Sequence, residues 1–195
     1  NIERIRAASG IAALPSVVYV AAAMSGPGRI KHSGRGDLVL GHSPLNSAQH
    51  VAECFTRAGV PCRISENIDG DLWSKLVWNC AGNAITALGR ASYGQIARSD
   101  SALQVFLAAA NETIAVARAA GIRLPPVDLA NANVKLARDL GNATSSTAQD
   151  VQRGKRTEID SLNGFVVRRG AELGVPTPVN STLTALIKLL EDSKS

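Results

Sequence analysis

Lys75, Asn79 and Asn83 fall at i, i+4 and i+8 within the run Asp71-Leu72-Trp73-Ser74-Lys75-Leu76-Val77-Trp78-Asn79-Cys80-Ala81-Gly82-Asn83-Ala84-Ile85-Thr86-Ala87-Leu88. On a helix that spacing lines up one ammonium and two amides along a single flank. Leu72, Leu76, Cys80, Ala84 and Leu88, joined by Val77 and Ala87, form a separate apolar face. Asparagine costs up to about 0.7 kcal/mol in a helix interior relative to alanine, because its side chain competes for backbone hydrogen bonds. Two of them beside a lysine need a reason. One reason is chemical: a row of donors over two turns can hold a carboxylate or carbonyl oxygen beside an ammonium that can release a proton. The other is structural, a solvated face or amides that bridge to a neighbouring helix, and spacing alone does not choose between them.

The elements that must position this row differ on its two sides. Upstream lie three β-rich runs, Val17-Val18-Tyr19-Val20, Arg29-Ile30-Lys31-His32 and Asp37-Leu38-Val39-Leu40. Gly26-Pro27-Gly28 and Gly34-Arg35-Gly36 separate them and read as turns. Residues 45–58 read as a helix and 60–64 as a further strand. Near Ile68 helical periodicity sets in and persists, which divides the chain into 1–68 and 69–195. The second part should hold about six helices, over 71–88, 93–97, 101–120, 126–140, 146–170 with a break near Gly154, and 178–192. Ser101 with Gln104, and Ser146 with Gln149, have the capping-box spacing, and Gly121 and Gly174 suit left-handed helix ends. Thr177 before Pro178 reads as an N-cap followed by proline at the first helical position.

Composition removes other classes of function. With 195 residues and 45% hydrophobic residues, the chain can bury a core without metal or disulfide support. No apolar run approaches the roughly 20 residues of a membrane span, and residues 1–6 are charged and lack the layout of a signal peptide, so the expected location is the cytoplasm. The net charge of +5 is scattered and aromatics make up 4%, which argues against nucleic acid as a partner. Cys54, Cys62 and Cys80 form no C-x-x-C pair and read as reduced and structural. His32, His42 and His50 have no metal-ligand spacing, so no metal is expected.

The helix with the polar row resembles the W-x-K-L-x-x-N-x-x-x-N-x-x-(T/S)-A-L helix of ketopantoate reductases. A second run is similar to that family's S-S-M-x-Q-D-x-x-x-G-R-x-T-E-I-D-x-x-N-G signature: Ser145-Ser146-Thr147-Ala148-Gln149-Asp150-Val151, Gly154-Lys155-Arg156-Thr157-Glu158-Ile159-Asp160 and Asn163-Gly164. Gly174-Val175-Pro176-Thr177-Pro178-Val179-Asn180 resembles the close of the same domain. Gly26 to Gly34, continuing to Leu40-Gly41, resembles the P-G-x-(I/V)-x-H-x-G segment that ends its nucleotide-binding domain. Motifs in the right order at consistent separations are hard to match by chance.

The resemblance implies an α/β remnant of a Rossmann-type domain followed by an all-α helical domain like the C-terminal one of 6-phosphogluconate dehydrogenase. The substrate would lie in the cleft between the two. It implies NADPH-dependent reduction of the 2-oxo acid ketopantoate (2-dehydropantoate) to pantoate, a step toward pantothenate and coenzyme A. No G-x-G-x-x-G follows a strand, so most of the cofactor site is expected outside these residues, and the fragment alone is not expected to turn over. By the same resemblance Lys75 is the proton donor, with its pKa lowered by partial burial. Asn79 and Asn83 donate to substrate oxygens, and Ser146 binds the carboxylate. Glu158 accepts the substrate's terminal hydroxyl, helps to position Lys75, and is the one residue here that could also touch the cofactor.

Each role has a plain alternative. Lys75 would be a surface lysine, Ser146 only a cap for its helix, and Glu158 only a complement to a helix dipole. The family often carries an asparagine where this chain reads Ser92-Tyr93-Gly94-Gln95, and Thr147 stands where methionine is usual. A reductase for another 2-oxo acid is the alternative of the same class. A helical dimerisation module is the alternative of another class, with Leu107, Ala108, Ala109, Ala115 and Ala119 as the face of a homodimer.

Overall fold

The computed structural model describes residues 2–42 and 47–193. It divides into two compact units, Asn1–Leu72 and Trp73–Ser195. In the first, helix α1 (Ile2–Ser9) precedes a long antiparallel hairpin of β1 (Ser16–Gly26) and β2 (Arg29–Leu40). Gly26-Pro27-Gly28 turns the hairpin, but Gly34-Arg35-Gly36 is not the second turn expected from its glycines. It lies inside β2 as an irregularity, where pairing steps from Val20↔Gly36 to Ala21↔Gly34 and skips Arg35. Two expected strands therefore fuse into one, since glycines at this spacing serve a bulge as well as a turn. Helix α2 (Ser47–Arg57) follows, its expected start at Leu45 lying outside the described residues. Strand β3 (Cys62–Ile64) then pairs parallel to β2, giving the sheet order β1-β2-β3. Among the described residues of this unit, Val17, Val39, Leu40 and Ala48 are the buried apolar side chains.

The remaining elements are helical: α3 (Ile68–Leu88), α4 (Tyr93–Arg98), α5 (Asp100–Ala119), α6 (Leu129–Leu140), α7 (Ser146–Gln152), a single 3-10 turn (Ile159–Ser161), α8 (Asn163–Leu173) and α9 (Pro178–Asp192). α3 begins three residues before the expected 71, with Asp69 and Asp71 in a first turn that favours acidic groups. Along it Val77, Cys80, Ala81, Ala84 and Ala87 are buried, and along α5 Phe106, Ala109, Ala110, Val116 and Ala117. Most of these side chains are small. Tyr93 and Ile96 of α4 and Ala130, Val134 and Ala137 of α6 complete one cluster with Val77, Ala81, Phe106 and Ala110. Ile159, Leu183 and Ile187 join Ala84 and Ala109 in a second.

Three helix starts differ from expectation, each because another side chain reaches the orphan backbone group better. α5 is capped by Ser99, which accepts from Ala102 N–H, and not by Ser101. α6 starts at Leu129 instead of 126, because Asp128 caps it through Asn131 N–H at 3.1 Å. The break near Gly154, where φ is +64, extends from Arg153 to the 3-10 turn. α9 has the expected Thr177 and Pro178 at its start, yet Thr177 makes no side-chain cap. Glu112 of α5 does that work: it accepts from Val179 N–H and Asn180 N–H, each at 2.9 Å, and from Asn180 Nδ2 at 2.7 Å. Asn180 passes the contact on, since its Oδ1 accepts from Asn163 Nδ2, which also donates to the Cys80 carbonyl.

All three cysteines are free. Cys80 is buried, and burial pushes its thiol up, whereas Cys62 is half-buried and Cys54 is exposed. Leu107 packs on the first cluster and Ala109 is buried, which leaves Ala115 and Ala119 as the exposed members of the proposed dimer face. No helix among the described residues is long and apolar enough to cross a membrane.

Candidate active site

α3 presents the row Lys75, Asn79 and Asn83 in two environments. Lys75 and Asn79 are half-buried, and Asn83 is buried. Desolvation holds the Lys75 ammonium below an ordinary lysine's pKa, and the Glu158 carboxylate opposes that shift. The two residues expected to work together, 83 positions apart in sequence, are thus brought within electrostatic reach. Glu158 is exposed and stands just before the 3-10 turn, where its side chain makes no cap. A three-residue turn offers too little dipole to explain it. The loop that carries Glu158 is held to α9 on both sides of it. Thr157 N–H donates to Glu191 Oε1 at 2.7 Å, and Lys188 Nζ pairs with Asp160 Oδ1 at 2.7 Å.

Asn83 does not lie on a solvated face. Tyr93, the first residue of α4, donates its hydroxyl to Asn83 Oδ1 at 3.0 Å. The Asn83 carbonyl also receives Thr86 Oγ1 at 2.9 Å and Ser145 Oγ at 3.2 Å. Ser145, not Ser146, caps α7: its Oγ accepts from Ala148 N–H at 3.0 Å and lies 2.6 Å from Thr86 Oγ1. The start of α7 is therefore fastened to α3 beside Asn83, and the hydroxyl of Ser146, exposed one residue on, is not the capping group. Ser145→Ala should cost about 1–2 kcal/mol through the lost cap and the Thr86 contact. Ser146→Ala should stay within about 0.5 kcal/mol of the parent and instead raise the KM for a 2-oxo acid. Thermal unfolding of both variants beside substrate titrations checks the pair; a stability loss at Ser146 would return it to a structural role.

Sequence reasoning missed Tyr93, Thr86 and Ser145 as parts of this arrangement. One signal was present: Ser92 and Gln95 form the capping box that starts α4 and so places Tyr93. Gln95 Oε1 accepts from Ser92 N–H at 2.8 Å.

Comparison with known proteins places the chain in a family. Residues 67–191 match the family described as ketopantoate reductase PanE/ApbA C terminal. A 2-dehydropantoate 2-reductase of Pyrobaculum aerophilum is 39% identical over 165 residues, which are 84% of this chain and 57% of that protein. The PanE/ApbA family ketopantoate reductase of Ralstonia eutropha superposes with a TM-score of 0.92 at 43% identity, over 100% of this chain and 64% of that one. A D-mandelate dehydrogenase, solved with NADH and anilino(oxo)acetate, superposes with a TM-score of 0.80 at 25% identity, over 92% of this chain and 59% of that one. The chain spans about half the length of the curated relatives it matches. The expected fold class, the end of a Rossmann-type domain followed by a helical domain, holds. With more than half of its residues matched by the family and the Lys75 helix and Ser145 to Gly164 run both inside the match, this chain belongs to the ketopantoate reductase family.

Proposed function

We propose that this chain holds the substrate in an NADPH-dependent reductase that converts ketopantoate to pantoate. The observation that carries the proposal is Lys75: half-buried, opposed by Glu158, and followed at one-turn intervals by Asn79 and Asn83 on the same helix. A 2-oxo acid presents a carboxylate, a ketone oxygen and, in ketopantoate, a terminal hydroxyl. The Lys75 ammonium polarises the ketone and gives its proton to the oxygen as that becomes a hydroxyl. The amides of Asn79 and Asn83 and the hydroxyl of Ser146 donate to the remaining oxygens, and the Glu158 carboxylate accepts from the terminal hydroxyl.

Hydride for such a reduction is the contribution of a bound nicotinamide dinucleotide. The described residues build no glycine-rich strand-to-helix cradle for one, Gly26-Pro27-Gly28 being a hairpin turn and Gly34-Arg35-Gly36 a bulge. The roles proposed for Lys75, Asn79, Asn83 and Ser146 are at the substrate oxygens and one proton, and Glu158 is the one residue here that could also reach the cofactor.

The test is nucleotide oxidation by the full-length protein with ketopantoate, beside analogues that lack the hydroxyl, with NADPH and NADH compared. A strong preference for ketopantoate and NADPH supports the proposal, and no oxidation of either nucleotide with any 2-oxo acid overturns it. A second reading, reduction of a bulkier 2-oxo acid, is favoured by the likeness to the D-mandelate dehydrogenase with its NADH and anilino(oxo)acetate. A higher kcat/KM for phenylglyoxylate than for ketopantoate selects it.

A further inference from the structure

Tyr93 stands where the family often has asparagine, and its surroundings give it a definite task. Its ring is buried against Trp78, with centroids 4.7 Å apart, and a Cβ on Gly82 would come within 2.6 Å of it. α3 thus holds the ring at two positions, and the fixed ring fixes its hydroxyl. Burial pushes that phenol's pKa up, so it keeps its proton and must donate it. Its acceptor is Asn83 Oδ1 at 3.0 Å. If the amide were turned over, the buried phenolic proton would face an NH2 group and lose its acceptor, which is the costlier arrangement. The carbonyl end of Asn83 is therefore committed to Tyr93, and its NH2 end is what remains to meet a ligand.

We propose that Tyr93 is a positioning residue that makes Asn83 a pure donor toward the substrate, so that the site takes an oxygen acceptor there, a carboxylate or ketone, and rejects a donor group. The proposal rests on the reductase reading above, and its test separates the two. In the full-length protein, Tyr93→Phe keeps the ring, the Trp78 contact and the fit over Gly82 while removing the hydroxyl. The KM for the 2-oxo acid should rise about tenfold, the scale of one mispositioned hydrogen bond. The nucleotide KM should stay within about twofold, and the melting temperature should fall by only a few degrees, the cost of leaving one buried amide oxygen without its donor. Asn83→Ala should raise the same KM, and adding Tyr93→Phe to it should raise it no further, because the tyrosine acts only through the amide.

Full additivity of the two changes, or an unchanged KM in Tyr93→Phe with wild-type turnover intact, overturns the proposal and leaves the reductase reading standing. Wild-type protein that reduces no 2-oxo acid overturns both. The side-chain NH2 signal of Asn83 in asparagine-labelled protein gives a readout independent of turnover. It should shift in Tyr93→Phe, and an unmoved signal means that the hydroxyl does not hold the amide.

Discussion

Replacing Lys75 by alanine in the full-length protein should lower kcat by about 10²- to 10⁴-fold, the range removed with a positioned general acid. The KM for the nucleotide should change little, because the role proposed for Lys75 is toward the 2-oxo acid. The same residue sets a pH dependence. An acid must be protonated to act, so the rate is full below the Lys75 pKa and falls as pH rises through it. Desolvation lowers that pKa, which brings the falling limb to a lower pH than an ordinary lysine would give. Glu158 opposes the shift, so Glu158→Gln should move the limb lower still and also weaken binding of the 2-oxo acid. Initial rates across the alkaline range for the parent and both variants check this. Turnover unchanged in Lys75→Ala removes the lysine from the chemistry, and a limb that moves upward in Glu158→Gln contradicts the electrostatic account.

The largest effect on folding should come from Glu112→Ala. The Glu112 carboxylate accepts from two backbone N–H groups at the start of α9 and from Asn180 Nδ2, a group whose other hydrogen bond goes to the Ala109 carbonyl. Bonds to a charged acceptor are worth roughly 1.5–3 kcal/mol each, and removing the acceptor strands all three donors in partly buried surroundings. Some will be recovered by water, so the net cost should be about 3 kcal/mol. That corresponds to a fall of roughly 6–12 °C in melting temperature for a chain of this size. Glu112→Gln, which keeps one acceptor oxygen, should lose about half as much. Urea unfolding of the three proteins measures the difference, and a loss below about 0.5 kcal/mol in Glu112→Ala would mean that α9 starts without it.

These two residues mark the line between what local pattern reveals and what it hides. The lysine row is legible because helical spacing by itself puts residues 75, 79 and 83 on one flank, and Pro178–Asp192 is legible because proline announces a first turn. Glu112 is not, since its partners lie 67 and 68 residues away. The same limit governs the caps. Ser145 and Ser146 are adjacent, and spacing favoured the wrong one; the choice is made by Thr86, 59 residues upstream. Arg35 fails differently. Glycine on either side signalled a change of direction, and whether that becomes a turn or a bulge depends on the register of the facing strand. Glu158 was found through family motifs alone, and its reach toward Lys75 exists only once the loop between α7 and α8 is folded.

The small side chains along α3 and α5 make the helical core unevenly sensitive to change. Ala81, Ala84, Ala87, Ala109, Ala110 and Ala117 are at most 4% exposed, so truncation has almost nothing to remove there and an alanine scan passes over them. Enlargement is another matter, because each added methylene must push a neighbouring helix aside, at a typical cost of about 1–3 kcal/mol. Mutational drift in this half of the chain is therefore one-sided: it can replace the large core residues by others of similar volume, but the alanine positions can hardly grow. The close approach that they permit is also what keeps the backbone of α3, and with it Lys75, Asn79 and Asn83, at a fixed depth.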